Sequence, residues 1–476
     1  MNILIGNANL DKIIQDRTIA RSIGEALFPG LLFRAAAHRE RWEARAGQTM
    51  EFLNPGLFRA RTKPRNPAVE PGFAQLDYEK YKATMNLYGD KTQVHMPSNY
   101  VTAISPYLEK QHKFSLAAAQ VLNRLPRNRL YQNYSAGHAI VDAILAAGLE
   151  VQVSALNGFT ETPDPLSGSL VPVSSANPRE FNVNGVLAGS QIIGTIPDDT
   201  DFPLGPGRLV LDVAVGGLAA GNRIDALDAS VVIRPNGAPT VDGITAGKVL
   251  TMDLIRKAIS SLRRDNVGPC ADGYYHVHFD PLGEEQLQLD NSFQRQIEGM
   301  GLDVAPYLKF AVGRTAGCTF FANNEVPRDN TVDPDSFVQT RPASAPLAFG
   351  SGDVGLETTN AGGIELMNTI VIGQSALCEK HLNENAFMSE AGVAGRVGGM
   401  RATNGGVEID LDGIRFILKA PTDAFNENVT LAWSWAGDHV CPTNRLTGTS
   451  SGGRNAAGDR VGVAYKRARL IQTALN

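Results

Sequence analysis

The chain has 476 residues, 43% hydrophobic and 20% charged, a globular composition too long for a single core of ordinary size. Its 44 Lys and Arg against 49 Asp and Glu give a formal charge of −5, which excludes a uniformly basic nucleic-acid binder. Four cysteines, at 270, 318, 378 and 441, are too dispersed for any CxxC pair and read as reduced thiols in a cytosolic setting, not a disulfide framework.

Charge is distributed unevenly. Residues 1–66 hold 11 basic and 6 acidic side chains, whereas residues 151–247 hold 4 and 10. A basic arm and an acidic middle would attract each other between copies, weakly per pair and in a salt-dependent way. The start, Met1-Asn2-Ile3-Leu4-Ile5, has no basic n-region, so no targeting segment is expected, and no apolar run reaches membrane-spanning length.

In chain order, residues 9–27 place Leu10, Ile13, Ile14, Ile23 and Leu27 at helical spacing, and 34–46 continue as a charged helical arm. From 49 to 97 the helical period disappears. Pro55, Pro64, Pro67, Pro71 and Pro97 break this stretch, and Arg59, Arg61, Lys63 and Arg65 crowd its middle. It reads as a long two-stranded excursion with a basic, proline-rich tip and too few apolar residues to bury itself. Residues 106–125 form a helix with Pro106 in its first turn, and 136–147 form a second helix ended by Gly148.

Residues 160–247 contain no Lys and are rich in Gly, Pro, Asn and Asp, with short runs such as Leu209–Leu211 and Val231–Ile233 and an Asn236-Gly237 turn. This is a small all-β insertion. Helix resumes at 252–264, and Tyr274–Phe279 is a strand. Residues 330–362 are a loose stretch. Val407–Leu411 and Ile414–Lys419, joined by Asp412-Gly413, form a hairpin, and 464–475 a final helix after the loop 447–459.

Motifs with chemical meaning are few. Gly448-Thr449-Ser450-Ser451-Gly452 satisfies GxSxG, but a nucleophile elbow needs a strand before it and a helix after it, and here the flanks are loop residues. Gly350-Ser351-Gly352-Asp353-Val354-Gly355 satisfies GxGxxG without a helix to hold a pyrophosphate. His276 and His278 share a strand face near Cys270 and Asp280, and His439 lies close to Cys441. These are residue types zinc accepts, yet no second ligand pair stands at matching spacing, so structural histidines are the reading. Asp198-Asp199 and Glu284-Glu285 read as solvated surface. The cluster Arg59, Arg61, Lys63 and Arg65 would meet either phosphate or another protein. It lacks the interleaved aromatics of a single-strand binder.

Leu254–Pro281, with its helix, an Asn-Val-x-Pro break and Asp-Gly-Tyr-Tyr opening a strand, resembles major capsid (coat) proteins of tailed bacteriophages with the HK97-type fold. Tyr307–Val326, Thr369–Leu382 and the block 49–146 fit the same family in order, and 433–472 resembles its end more loosely. The resemblance implies an α+β capsid fold carrying a small all-β insertion. Its parts would be an N-terminal arm (1–48), an extended loop with strands (49–97), a spine helix with peripheral domain (98–150), the insertion (151–250), an axial domain (251–400), a peripheral hairpin (401–432) and the axial end (433–476).

It further implies a structural protein without catalytic, cofactor or metal residues, assembling with copies of itself as hexamers and pentamers around double-stranded DNA. Arg59, Arg61, Lys63 and Arg65 would then sit at an inter-subunit contact. Scaffold, portal and decoration proteins are the expected partners, with assembly in host cytoplasm and the virion as destination. An encapsulin-like cellular shell is the alternative, and a hydrolase using Ser450 a further one.

Overall fold

The computed structural model describes residues 32–42, 47–55, 78–95, 106–145, 148–163, 170–200, 203–299, 311–315, 317–327, 356, 359–360, 362–382, 400–403, 406–411, 413–419, 427–443 and 462–475. The chain opens with α1 (Leu32–Ala35), β1 (His38–Trp42), β2 (Thr49–Pro55), β3 (Tyr78–Thr84), β4 (Asn86–His95) and the long α2 (Pro106–Tyr134). Eight strands follow: β5 (His138–Leu145), β6 (Glu150–Val153), β7 (Glu161–Pro163), β8 (Leu170–Pro172), β9 (Arg179–Val183), β10 (Val186–Pro197), β11 (Gly207–Leu211) and β12 (Arg223–Ala226). Then come β13 (Val232–Ile233), α3 (Met252–Arg264), β14 (Tyr275–Phe279), α4 (Pro281–Leu289), α5 (Asn291–Gly299), β15 (Ala311–Thr315) and β16 (Cys318–Ala322). The last strands are β17 (Leu366–Ile372), β18 (Cys378–Leu382), β19 (Met400–Thr403), β20 (Gly406–Leu411), β21 (Ile414–Lys419), β22 (Asn428–Val440) and β23 (Ala468–Ala474).

The elements are those of an α+β protein, and they divide into two compact units. The first comprises residues 1–50, 83–126 and 378–440. Its sheet runs β1-β18-β22-β21-β20-β19, with β4 also paired to β22. The thirteen-residue β22 has Asn428–Gly437 antiparallel to β4 and its last four residues on β18. Gly437 stands where chains crowd: a β-carbon there would lie 2.4 Å from the Lys380 carbonyl oxygen. The expected 407–419 hairpin is present, with Leu411 opposite Ile414 across a two-residue turn. Ala118, Ala119 and Leu122 of α2 close over Ile414, Phe416, Trp433 and Trp435.

The second unit comprises 51–82, 127–377 and 441–476. One part is a closed barrel in the order β10-β11-β6-β5-β12-β9 around Val141, Val153, Phe181, Leu209 and Ile224. The other is a sheet in the order β13-β23-β17-β14-β16-β15, covered by α3 through Leu254, Ile255, Ala258 and Leu262. The helix expected at 252–264 and the strand opening near 274 are both found, as is the β character of the insertion. The barrel starts at His138, ahead of the composition shift at 160.

Three expectations are corrected. Within the expected helix 136–147, His138–Leu145 form a strand instead: Ala139 and Val141 alternate into the barrel, and Gly148, at φ +89°, serves the turn to β6 rather than a helix end. The terminal stretch expected as a helix, 464–475, instead holds the strand β23. All seven residues of β23 are buried between β13 and β17, so the sheet overrides the helical propensity of Ala, Arg, Leu and Gln. In the charged arm 34–46 only the start of the described part is helical. From His38 it is a strand paired in parallel to β18, with Trp42 buried.

The spine helix runs nine residues beyond its expected end, through Pro126 to Tyr134. Asn236-Gly237 adopts the positive φ values its residues suggest, yet the hairpin signal of that type belongs to Asn184-Gly185, at +50° and +83°, joining Val183 to Val186. The segments 9–27 and 447–459 lie outside the described residues, as does most of 330–362.

All three tryptophans, at 42, 433 and 435, belong to the first unit, so their fluorescence follows that unit alone. Leu122 is fully buried among two of them. Leu122→Ala lowers the stability read by tryptophan fluorescence in a denaturant titration by about 2–5 kcal/mol.

Candidate assembly elements and their anchoring

Helix α1 is a single turn, too short to hold itself, and is fixed by two contacts. Asn123 Oδ1 of α2 accepts from the Phe33 amide at 2.8 Å, and the Arg34 guanidinium is clamped to Glu379 of β18. Arg34 Nε donates to Oε2 at 2.8 Å and Nη2 to Oε1 at 2.6 Å, so the pair is two-pronged. Both side chains are almost wholly buried, Arg34 at 2% exposure and Glu379 at 0%. His439 Nε2 and His381 Nδ1 each stand 3.6 Å from the same carboxylate, and the His439 ring stacks on Trp435 at 5.1 Å. Burial by itself would raise the Glu379 carboxyl; hydrogen bonding and charge from His439 and Arg34 outweigh it and bring it down to about 2. Farther along the same strand pair, Lys380 meets Glu40. Sequence reasoning did not single out Arg34 or Glu379, which stand 345 residues apart with no local motif to join them.

Among the described residues, strands β2 and β3 pair only with each other, as a two-stranded ribbon stiffened by Phe52 stacked on Tyr81 at 5.3 Å. The expected ribbon base is therefore present. Its tip, with Arg59, Arg61, Lys63 and Arg65, lies outside the described residues. Ser450 and its GxSxG neighbours, and the 350–355 glycine motif, lie outside them too.

The possible zinc donors near β14 each have another task. His276 Nε2 pairs with Asp272 at 3.0 Å, Asp280 caps α4 by accepting from the Leu282 amide, and the Cys270 thiol donates to the Ile372 carbonyl at 3.6 Å. Burial first, and Asp272 second, push that thiol up to about 11, far from the thiolate a metal takes. His278 stacks on Phe321 at 5.0 Å, and burial, with the neighbouring His276, lowers its pKa to about 3. His439 faces Glu379, while the Cys441 thiol donates to the Arg129 carbonyl. Among the described residues no three His, Cys, Asp or Glu side chains form a metal-holding group. Asp198 and Asp199 are exposed as expected, with Asp198 accepting from Gln152.

No family model matches the sequence, and no curated protein is similar to it. Among solved structures the chain is similar to the capsid of Ralstonia phage GP4, at 11% identity over 92% of this chain and 87% of that one, with a TM-score of 0.48. It is also similar to the capsid asymmetric unit of cyanophage Pam1 (11% identity, 91% and 86%, TM-score 0.46) and to the capsid of cyanophage P-SCSP1u (9%, 93% and 88%, 0.43).

Removing one partner of the buried pair strands the other. Arg34→Met destabilises the first unit by about 3–5 kcal/mol in the tryptophan titration, and adding Glu379→Met restores most of the loss. The carboxyl titrates near 2 in the fold against an ordinary value of 4.5, so its contribution of about 3 kcal/mol is complete above pH 4.5 and lost as pH falls toward 2. Amide-exchange protection of residues 33–42 therefore collapses in that window in the native chain, and Glu379→Gln removes the pH dependence.

Proposed function

We propose that this chain is the major capsid protein of a tailed-bacteriophage shell, a structural subunit that assembles with copies of itself. The observation that carries the reading is a ribbon with no core of its own. Among the described residues strands β2 and β3 form a two-stranded sheet paired to no third strand, and such a hairpin is marginal in water unless a surface covers it. The ordered sequence blocks supply the identity of that surface. Leu254–Pro281 falls on α3 and β14, Tyr307–Val326 spans β15 and β16, and Thr369–Leu382 spans β17 and β18, so the capsid-like blocks coincide with the strands that build the two main sheets.

In this reading residues 1–48 are the arm and 49–97 the extended loop with strands, of which the β2–β3 ribbon lies over a neighbour while β4 returns to β22 of the chain's own sheet; 98–150 are the spine helix with its adjoining strand, and the 401–432 hairpin is part of the peripheral domain. Hexamers and pentamers close an icosahedral shell in the host cytoplasm, around double-stranded DNA held without sequence specificity. Arg59, Arg61, Lys63 and Arg65 engage the neighbouring subunit, and scaffold, portal and decoration proteins complete the particle. No catalytic step belongs to this function.

Negative-stain microscopy of the purified chain, alone and with a coexpressed scaffold, shows closed particles far larger than one subunit. A species that stays monomeric in both preparations overturns the reading. Deleting residues 55–72 weakens particles while leaving subunit melting within a few degrees of the native chain; an equal loss of subunit melting temperature places the ribbon inside its own fold instead.

A further inference from the structure

Helix α3 has two unlike faces. Leu254, Ile255, Ala258 and Leu262 meet the sheet, whereas Arg256, Lys257, Arg263 and Arg264 are exposed. Arg256 and Arg263 are seven residues apart, as are Lys257 and Arg264, so the cations form two rows about 10 Å long with Ser260 between them. Exposed helical cations usually have acids one turn away. Here the nearby acids, Asp253 and Asp290, stand at the helix N-terminus, and among the described residues none of the four cations joins an ion pair. The helix dipole accounts for Arg263 and Arg264 in the last turn, but not for Arg256 and Lys257.

The opposite charge collects on one flank of the barrel. The insertion carries a net −6 over 151–247, and its arginines are engaged within the chain. Arg179 pairs with Asp228, Arg208 with Glu150 and Arg223 with Asp225, while Arg234 donates to Gln472 and the Pro239 carbonyl. Asp142 on β5, Asp198 just beyond β10 and Asp242 in the turn Val241–Gly243 are left on the surface as near neighbours. Partial burial raises the Asp142 carboxyl, Asp242 and Asp198 raise it further, and no basic group offsets them.

We propose that the basic face of α3 docks head to tail on the acidic barrel flank of an adjacent copy of this chain. The proposal rests on the shell reading and names one contact within its rings. A closed ring of subunits needs two different, complementary patches on every copy. Surfaces of opposite sign on one chain meet that need. Their signs also disfavour the two-fold alternatives, because α3 against α3, or flank against flank, sets like charges together. Within one subunit α3 packs chiefly on β17, β23 and α5, so the carboxylates that complete it come from a neighbour. Exposed pairs are weak singly, so this contact orients subunits and is sensitive to salt.

The test mixes isotope-labelled and unlabelled full-length chains before assembly and treats them with a carbodiimide, which joins a lysine amine to a carboxylate it touches. Mass spectrometry of the digest finds Lys257 joined to Asp142, Asp198 or Asp242, with a labelled and an unlabelled peptide in the same link, and high salt cuts the yield about tenfold. Arg256→Glu with Arg264→Glu, or Asp142→Lys with Asp198→Lys, lowers the assembled fraction about tenfold without moving subunit melting, and all four changes in one chain restore it. Links confined to one isotope, links from these carboxylates to other lysines in place of Lys257, or a quadruple variant no better than the doubles overturn the contact. So does an α3 double variant that assembles normally but encloses no DNA, which puts nucleic acid on this face instead. Closed shells without the Lys257 link sink this contact and leave the shell reading standing; the mixed link without closed shells does the reverse.

Discussion

A carboxylate taken wholly out of water loses the dielectric that stabilises its charge, and Glu379 is in that position. The two prongs of Arg34 make it tolerable, with His381 and His439 completing its surroundings. An apolar contact can slide by a fraction of a residue; a bidentate pair fixed on both nitrogens cannot. The pair therefore sets which arm residue meets which residue of β18, from His38 opposite Cys378 to Trp42 opposite Leu382.

The second unit uses the same device. Arg469 is buried on Asp265, Arg179 on Asp228 at 2.6 Å and Arg127 on Glu325 at 3.5 Å. Each pair joins positions between 49 and 204 residues apart. Buried ion pairs add little net stability over apolar packing, but they penalise wrong partners heavily. In a chain whose sheets are assembled from distant segments, that penalty against mispairing is what the fold requires. β23, near the end of the given sequence, inserts between β13 and β17, one strand in from the sheet edge.

One surface stands apart from this internal economy. Among the described residues the ribbon of β2 and β3 pairs with no third strand. In the proposed shell an identical neighbour would cover it, which would tie the subunit's stability to its assembly.

Much of the local punctuation was legible in the residues. The period of 252–264, the alternation on both sides of Asp412-Gly413 and the turn-rich run from 160 onward each have a short-range cause, and each is found. His138–Leu145 and Ala468–Ala474 were misread because short apolar runs buried on both faces, or closing a barrel, carry no period that separates helix from strand. Arg34 and Glu379 carried no signal, being ordinary surface residues by type. By itself the sequence determined where several turns fall and which stretches are β-rich. Tertiary structure alone decided which distant strands pair and which charges go inside, because a buried strand takes its conformation, and a buried ion its partner, from neighbours that only the closed chain brings near.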